Sequence, residues 1–266
     1  MIKTAICASL LWLCFASGFA ADSIAWKEEK GDHFIVYYTG SSSAFAKEVL
    51  YQAEKNYVRI ADYFGYSRHS NFWTWENRVK IFIYPDPKAY MKTTQMPSWS
   101  KGMADYTEKY IATYVESETF LEDILPHEMA HLIFRDFVGF RGEVPLWLDE
   151  GAAQWAELNK RDYIQDLMRQ YQKKHLVISL KEMMQIDIRK VTDDHKLIRL
   201  YYTQAASLVA FLIERFGIEP FAVFCRSLRD SATLDEALRS AYPGRVSNIN
   251  ELQAVWLEYL GQEKTN

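Results

Sequence analysis

The residues best suited to do chemistry in this sequence lie in the stretch HEMAH, where two histidines and a glutamate occur within five residues. His127 and His131 are four residues apart, so on an α-helix they project from one face and can bind the same metal ion. Glu128 projects from an adjacent part of the helix and can reach a water molecule on that ion without binding the ion itself. This spacing is typical of a zinc site in a metallohydrolase.

The same five residues have a plainer interpretation, because histidine and glutamate are common on solvated helix faces and short motifs arise by chance. The flanking sequence favours the metal site. A helix over TFLEDILPHEMAHLIFRDF is apolar nearly all round, which predicts that it is buried. Buried imidazole and carboxylate groups need partners, and a metal ion would supply them. Pro126 must either start this helix or kink it.

Eighteen residues separate His131 from Glu150, which lies in the segment PLWLDEGAAQWAE. The combination of HEMAH, this separation and WLDEG resembles the gluzincin zinc metallopeptidases, in particular the aminopeptidase N-like branch and the bacterial peptidase-MA-like proteins. The resemblance covers most of the chain beyond its N-terminus, including SLVAFLIERFG and residues 256–260. It implies an α+β, thermolysin-like gluzincin fold, in which a small N-terminal sheet lobe with helices precedes a helical C-terminal lobe.

The resemblance also implies roles for individual residues. His127, His131 and Glu150 would hold one zinc ion per chain, and Glu128 would be the general base. A catalytic zinc site with three protein ligands leaves its fourth position to water. The alternative interpretation of Glu150 is a solvent-facing glutamate in the first turn of a helix, where the helix dipole favours a negative charge.

A tyrosine in the segment YYTQAASLVAFL is a further candidate. Aminopeptidase N-like enzymes carry a tyrosine followed by x-K-G-A-S-V-L, and its hydroxyl stabilises the oxyanion that forms during hydrolysis. Tyr202 matches that tyrosine, although Gln204 and Ala205 replace the lysine and the glycine. The resemblance therefore implies a catalytic role for Tyr202. Its neighbour Tyr201 is the alternative donor, and an ordinary core or surface tyrosine is the other interpretation.

The sequence departs from the aminopeptidase pattern at one important position. Those enzymes bind the free amino group of the substrate with a G-x-M-E-N segment, on a strand that lines the active site. This chain has GMAD at residues 102–105, so Asp105 stands where the amine-binding glutamate is expected. Cleavage of internal bonds, or of larger peptides, is therefore predicted over removal of single N-terminal residues. The strand itself can still pair with an extended peptide.

The hydrophobic pattern predicts the elements that position these residues. Strands are expected at 33–40 and 79–86, with a helix between them that ends at Gly65, and a hairpin is expected at 101–115. Every later segment has a helical pattern. A sheet followed by helices predicts an α+β fold.

One metallopeptidase domain is expected over residues 21–266, with a sheet lobe at about 21–116 and a helical lobe at about 117–266. The first 20 residues have a lysine, an apolar run and small residues, which is typical of a secretory signal peptide cleaved before Ala21. An uncleaved membrane anchor is the alternative. Cleavage would give an exported protein, periplasmic or secreted, without stable membrane insertion.

The remaining cysteine and histidines are not predicted to have a role in the site. Cys225 is the one cysteine beyond residue 20, so it cannot form an internal disulfide, and its apolar surroundings predict a buried thiol. The other histidines have no partner at metal-binding spacing, and we interpret them as ordinary polar residues: His33, His69, His175 and His195.

The composition of the chain also bears on which classes of function are expected. The chain has 266 residues and a formal net charge of −4, and it has no cluster of lysines and arginines that would suggest nucleic-acid binding. The motifs together predict an exported zinc peptidase that acts on peptides or proteins. Two other hypotheses stay open: an envelope binding or assembly protein that keeps the zinc-peptidase fold without turnover, and an all-helical protein in which the motifs are accidental.

Overall fold

The computed structural model describes residues 25–40, 42–66, 73, 76–98, 100–115, 117, 119–139 and 144–262, with side chains for all of these except 158–162. The predicted signal peptide, its cleavage site and His69 lie outside the described residues. Within the described part of the chain, no helix combines the length and the apolar character needed to cross a membrane.

A five-stranded sheet, with strands in the order β1-β2-β3-β5-β4, forms one part of the structure. The strands are β1 Lys27–Lys30, β2 Phe34–Tyr38, β3 Val79–Tyr84, β4 Gly102–Asp105 and β5 Tyr110–Tyr114. The three central strands are parallel, while β1 and β4 run antiparallel at the two edges. The predicted strands and hairpin are confirmed, but β1 was not predicted, because KEEK has no apolar alternation.

Helices make up most of the remaining structure. They are α1 Ser43–Tyr63, α2 Pro87–Thr94, α3 Leu125–Val138, α4 Leu146–Ala156, α5 Leu158–Lys173, α6 Leu180–Met183, α7 His195–Phe216, α8 Ile218–Arg229, α9 Leu234–Ala241 and α10 Ile249–Gly261. A π-helical turn, Phe120–Ile124, leads into α3, and a 3₁₀ turn, Ile188–Lys190, precedes α7. The predicted α+β class is confirmed.

Helix α3 is buried along nearly its whole length, as its sequence predicts. Pro126 lies in the first turn of α3, directly after the π-helical turn, so the helix changes its geometry where the proline removes an amide hydrogen. Helix α3 packs against α1, α4 and the edge strand β4. It therefore connects the sheet to the helical part of the molecule.

Helices α4 and α7 approach each other closely at Gly151. A Cβ atom on Gly151 would collide with the backbone carbonyl of Ala205 and would lie 2.8 Å from Cγ2 of Val209. Glycine is thus required by the close packing of the two helices. The contact fixes the segment WLDEG, on α4, against the segment YYTQAASLV, on α7.

The sequence predicts one continuous helical region where the structure has both α4 and α5. The chain is extended at Glu157, with φ −78° and ψ 101°, and this residue separates the two helices. The break has a consequence for the site, because it directs the Glu157 side chain towards α3, where its carboxylate contacts His127.

Candidate metal centre

His127, His131 and Glu150 converge in the structure. Their ligand atoms all lie within 4.8 Å of one another. The Nε2 atoms of the two histidines are 3.2 Å apart, and Nε2 of His131 lies 3.6 Å from Oε2 of Glu150. His131 and Glu150 are buried, whereas the His127 side chain keeps 19% of its surface exposed. The cluster is therefore enclosed by protein and open to solvent on the His127 side.

These separations fit a tetrahedral zinc ion. Nitrogen and oxygen ligands about 2.0–2.1 Å from such an ion lie about 3.3 Å from each other. The separations of 3.2 Å and 3.6 Å bracket that value, and the remaining pair, His127 and Glu150, lies within 4.8 Å. Two imidazoles and one carboxylate are also a donor set that zinc takes in hydrolases. The residues present can hold a metal ion with little movement.

Each histidine is oriented by a carboxylate on its other ring nitrogen. Nδ1 of His127 lies 2.9 Å from Oε1 of Glu157, and Nδ1 of His131 lies 2.9 Å from Oδ1 of Asp149. An ionised carboxylate only accepts, so each Nδ1–H donates and each Nε2 is the ring nitrogen left to bind a metal ion. Sequence reasoning missed both carboxylates as partners, although Asp149 directly precedes Glu150 in the motif.

Arg135 completes the arrangement around His131. Its Nε and Nη2 atoms donate to Oδ2 of Asp149, at 3.0 Å and 2.5 Å. Burial by itself raises the pKa of Asp149, but the charges and hydrogen bonds of His131 and Arg135 outweigh it and lower the pKa below its usual value. Asp149 therefore stays ionised and can hold the His131 ring in place.

The surroundings of the cluster favour a positive charge. Burial alone would lower the pKa of His131, but the charges and hydrogen bonds of Asp149 and Glu150 outweigh it and raise the pKa well above its usual value. Without a metal ion, a proton is thus held where a metal would bind. Metal and proton compete for such a site, so metal binding would release the proton.

Glu128 lies on α3 between the two histidines, is half-buried, and is not one of the three converging residues. Its negative charge raises the pKa of Tyr106, which lies in the turn after β4, and of Tyr202 on α7. The carboxylate therefore acts on phenol groups from two elements, the turn after β4 and helix α7, and the charge of Glu150 acts on both of these phenols as well.

The two tyrosines of YYTQAASLV have different environments. Tyr202 is half-buried, and its pKa is raised by burial and then by the charge of Glu150. Tyr201 is fully buried, and its hydroxyl has no hydrogen-bond partner within the described residues. Gln204, which replaces the lysine of the aminopeptidase pattern, has its side-chain amide bonded to the backbone N and O of Ile178.

Asp105 is part of the β4–β5 turn. Its Oδ1 atom accepts hydrogen bonds from the backbone N–H groups of Thr107 and Glu108, both at 2.9 Å. Oδ1 thus helps to close the turn, which fixes the position of the Asp105 side chain. Strand β4 ends the sheet on this side and packs against α3.

Tyr106 is a candidate that sequence reasoning missed. Its ring centroid lies 5.7 Å from that of His131, in an edge-on arrangement. Burial raises its pKa, and the charges of Glu128, Asp149 and Glu150 raise it further. Its position directly after GMAD could have drawn attention to Tyr106 in the sequence. The side chain reaches the cluster, however, only because of the geometry of the turn.

The histidines interpreted as ordinary do not join the cluster where the structure describes them. Nδ1 of His33 lies 2.7 Å from Oε2 of Glu54, and its ring stacks on that of Tyr57. His175 and His195 are exposed. Cys225 is buried on α8, as predicted.

A family model described as Peptidase MA superfamily matches residues 69–261, well over half of the chain. The match contains all five residues singled out from the sequence: His127, Glu128, His131, Glu150 and Tyr202. It does not distinguish the aminopeptidase N-like branch, which stays a prediction. A search of curated proteins finds no match to the chain.

Proposed function

Because the chain belongs to the Peptidase MA superfamily, we propose that it is a zinc-dependent peptidase that cleaves internal bonds of peptides or proteins outside the cytoplasm. One observation carries the proposal. The Nε2 atoms of His127 and His131 and a carboxylate oxygen of Glu150 converge within 4.8 Å of one another, and Glu128 lies on the same helix as the histidines and outside this set. A site that only held a metal for structural reasons would have no use for that extra carboxylate.

His127, His131 and Glu150 would hold the ion. A zinc ion bound there would lower the pKa of a water molecule and polarise the carbonyl group of the substrate. Glu128 takes one proton from the attacking water, whose oxygen forms the new bond to the carbonyl carbon. Glu128 then returns that proton to the amide nitrogen as the carbon–nitrogen bond breaks.

Glu157 and Asp149 accept hydrogen bonds of 2.9 Å from Nδ1 of the two imidazoles, which fixes the rings in orientation and turns each Nε2 towards the metal position. Tyr202 donates its hydroxyl to the carbonyl oxygen of the substrate as negative charge develops there. Such a donor accelerates the reaction because its hydrogen bond is stronger in the transition state than in the substrate complex.

The substrate would bind along β4. This strand is the last in the sheet, its residues are half-buried, and it packs beside the helix that carries HEMAH. An extended peptide can add to such an edge through backbone hydrogen bonds, which do not require a free amino terminus. Asp105 is already engaged by the backbone of the turn. These features support cleavage of internal bonds.

The finer points of fold and location are part of the same proposal. An edge strand beside the metal-binding helix, with the third ligand on the following helix, supports a thermolysin-like arrangement, divided into a sheet lobe up to about residue 116 and a helical lobe from about 117. The apolar segment within residues 1–20 supports export to the periplasm or the exterior, with residues 21–266 as the mature protein.

The test combines metal analysis with a peptide-library assay on the exported protein. We expect one zinc ion per chain, cleavage at internal bonds, and loss of cleavage on treatment with a chelator that zinc restores. His127→Ala, His131→Ala and Glu150→Ala should each lose most of the zinc. A protein that binds zinc but cleaves no peptide would be a binding or assembly protein, and one without metal would contradict the proposal entirely.

A further inference from the structure

The Tyr201 hydroxyl is an unpaired polar group in the interior of the protein. The residue is 0% exposed, and no atom of the described residues forms a hydrogen bond with its hydroxyl. Buried polar groups nearly always have a partner, so an unpaired one points to a ligand, an ion or a contact that forms in another state of the protein.

The packing of α7 shows which way Tyr201 faces. Tyr201, Ala205 and Val209 are spaced four residues apart, so they share one face of the helix. Ala205 and Val209 contact Gly151 on α4, which means that this face is turned towards α4. Tyr201 therefore lies on the face of α7 that packs against the helix carrying Glu150. Among the charges that act on the phenol, that of Glu150 is the largest and raises its pKa.

Among the residues that the structure describes, no side chain orients Glu150 as the two histidines are oriented. The histidines have Glu157 and Asp149 on their Nδ1 atoms. Within the described residues, the polar contact of the Glu150 carboxylate is Nε2 of His131, at 3.6 Å. That nitrogen would bind the metal ion instead, and the carboxylate would then have no donor to fix it.

We propose that the Tyr201 hydroxyl donates a hydrogen bond to the Glu150 carboxylate when that carboxylate binds metal, and so positions the third ligand. The inference rests on the proposed function, because it needs a metal ion at this site. It assigns different tasks to two neighbouring residues: Tyr201 holds a ligand, and Tyr202 faces the substrate. Tyr201 is thus a positioning residue rather than a catalytic one.

The variant Tyr201→Phe tests the proposal by removing only the hydroxyl. Partners of metal ligands typically contribute 10- to 100-fold to metal affinity, so we expect the zinc dissociation constant to rise by about that factor. It would be measured by competition with a chromophoric chelator. In the cobalt-substituted protein, the visible absorption bands should also shift, because they report on ligand geometry.

Tyr242→Phe is the matched control. Tyr242 is also buried, and its hydroxyl has no hydrogen-bond partner within the described residues, but its pKa is raised by burial and then by the thiol of Cys225 rather than by the metal cluster. Its removal should leave zinc affinity and the cobalt spectrum unchanged. Thermal unfolding of the metal-free proteins would show whether either variant weakens the fold itself.

The outcomes separate this inference from the proposed function. If the unaltered protein binds no zinc, the proposed function fails. If it binds zinc and Tyr201→Phe binds zinc equally well, only the role of Tyr201 is overturned. An equal loss of affinity in Tyr201→Phe and Tyr242→Phe would also overturn it, because the effect would then come from general packing.

Discussion

The Nδ1 atom of His127 lies 2.9 Å from Oε1 of Glu157, a residue thirty positions later in the chain. The contact exists because helix α4 ends at Ala156 and the chain turns at Glu157 before α5 begins. A break between two helices thus orients the first histidine of the motif.

Glu157→Ala should therefore weaken zinc binding by about 10- to 100-fold, because His127 loses the partner that fixes its ring. Glu157→Gln should lose less, since its amide oxygen can still accept from Nδ1. Chelator competition would give both dissociation constants, with the exposed Glu76→Gln as control. Unchanged affinity in Glu157→Ala would show that the contact does not matter for metal binding.

Glu128→Gln should keep the zinc and lose turnover. The amide has the shape of the carboxylate but cannot take a proton, so we expect kcat to fall by about 10²- to 10⁴-fold. Metal analysis and peptide hydrolysis on the same preparation would measure both quantities. Near-normal hydrolysis would mean that another residue is the base or that a contaminant cleaves the peptide.

Tyr202→Phe should lower kcat by about 10²- to 10³-fold with little change in KM, because the lost donor acts in the transition state. Zinc content should stay the same. Tyr201→Phe, assayed at saturating zinc, should lose far less of its kcat. If the two variants exchange their effects on kcat, Tyr201 rather than Tyr202 faces the substrate.

Peptides with free and with acetylated amino termini should be cleaved at the same internal bonds and at similar rates. The reason is that Asp105 is held by two backbone N–H groups of its own turn. Mass spectrometry of the products would identify the bonds. Release of single N-terminal residues that acetylation blocks would contradict the prediction.

Cys225 should not react with thiol reagents in the native protein at pH 8. Burial raises the pKa of its thiol to about 12, so almost no thiolate is present at that pH. The raised pKa also makes the free energy of unfolding depend on pH. The folded state holds the thiol proton more tightly than the unfolded state, so this stabilisation is complete below the unfolded pKa and is lost as the pH rises towards 12. Rapid labelling without denaturant would show that the helix opens.

Much of the site could be predicted from sequence because its spacing is local. The i, i+4 relation of His127 and His131 holds on any α-helix, and the apolar residues around them indicate burial whatever the partner helix is. The α+β class likewise follows from the order of strand and helix patterns. These signals depend on neighbouring residues rather than on the tertiary fold.

The missed residues depend on tertiary structure. Glu157 reaches His127 through a helix break that propensity does not reveal, since the segment around it has a helical pattern. Tyr106 reaches His131 through the shape of a turn. Strand β1 gains its structure from pairing with β2, because its own sequence has charged residues on both faces.

The geometry of the site depends on the distance between two helices, which Gly151 keeps short. Because α7 lies directly against its backbone, Gly151 sets the distance between Glu150 on one helix and the tyrosines on the other. A larger residue at 151 would act as a wedge between them. All the residues of the motif would still be present, but α7 and its two phenol groups would be displaced from Glu150. The motif can thus remain complete in a chain that has lost its catalytic geometry.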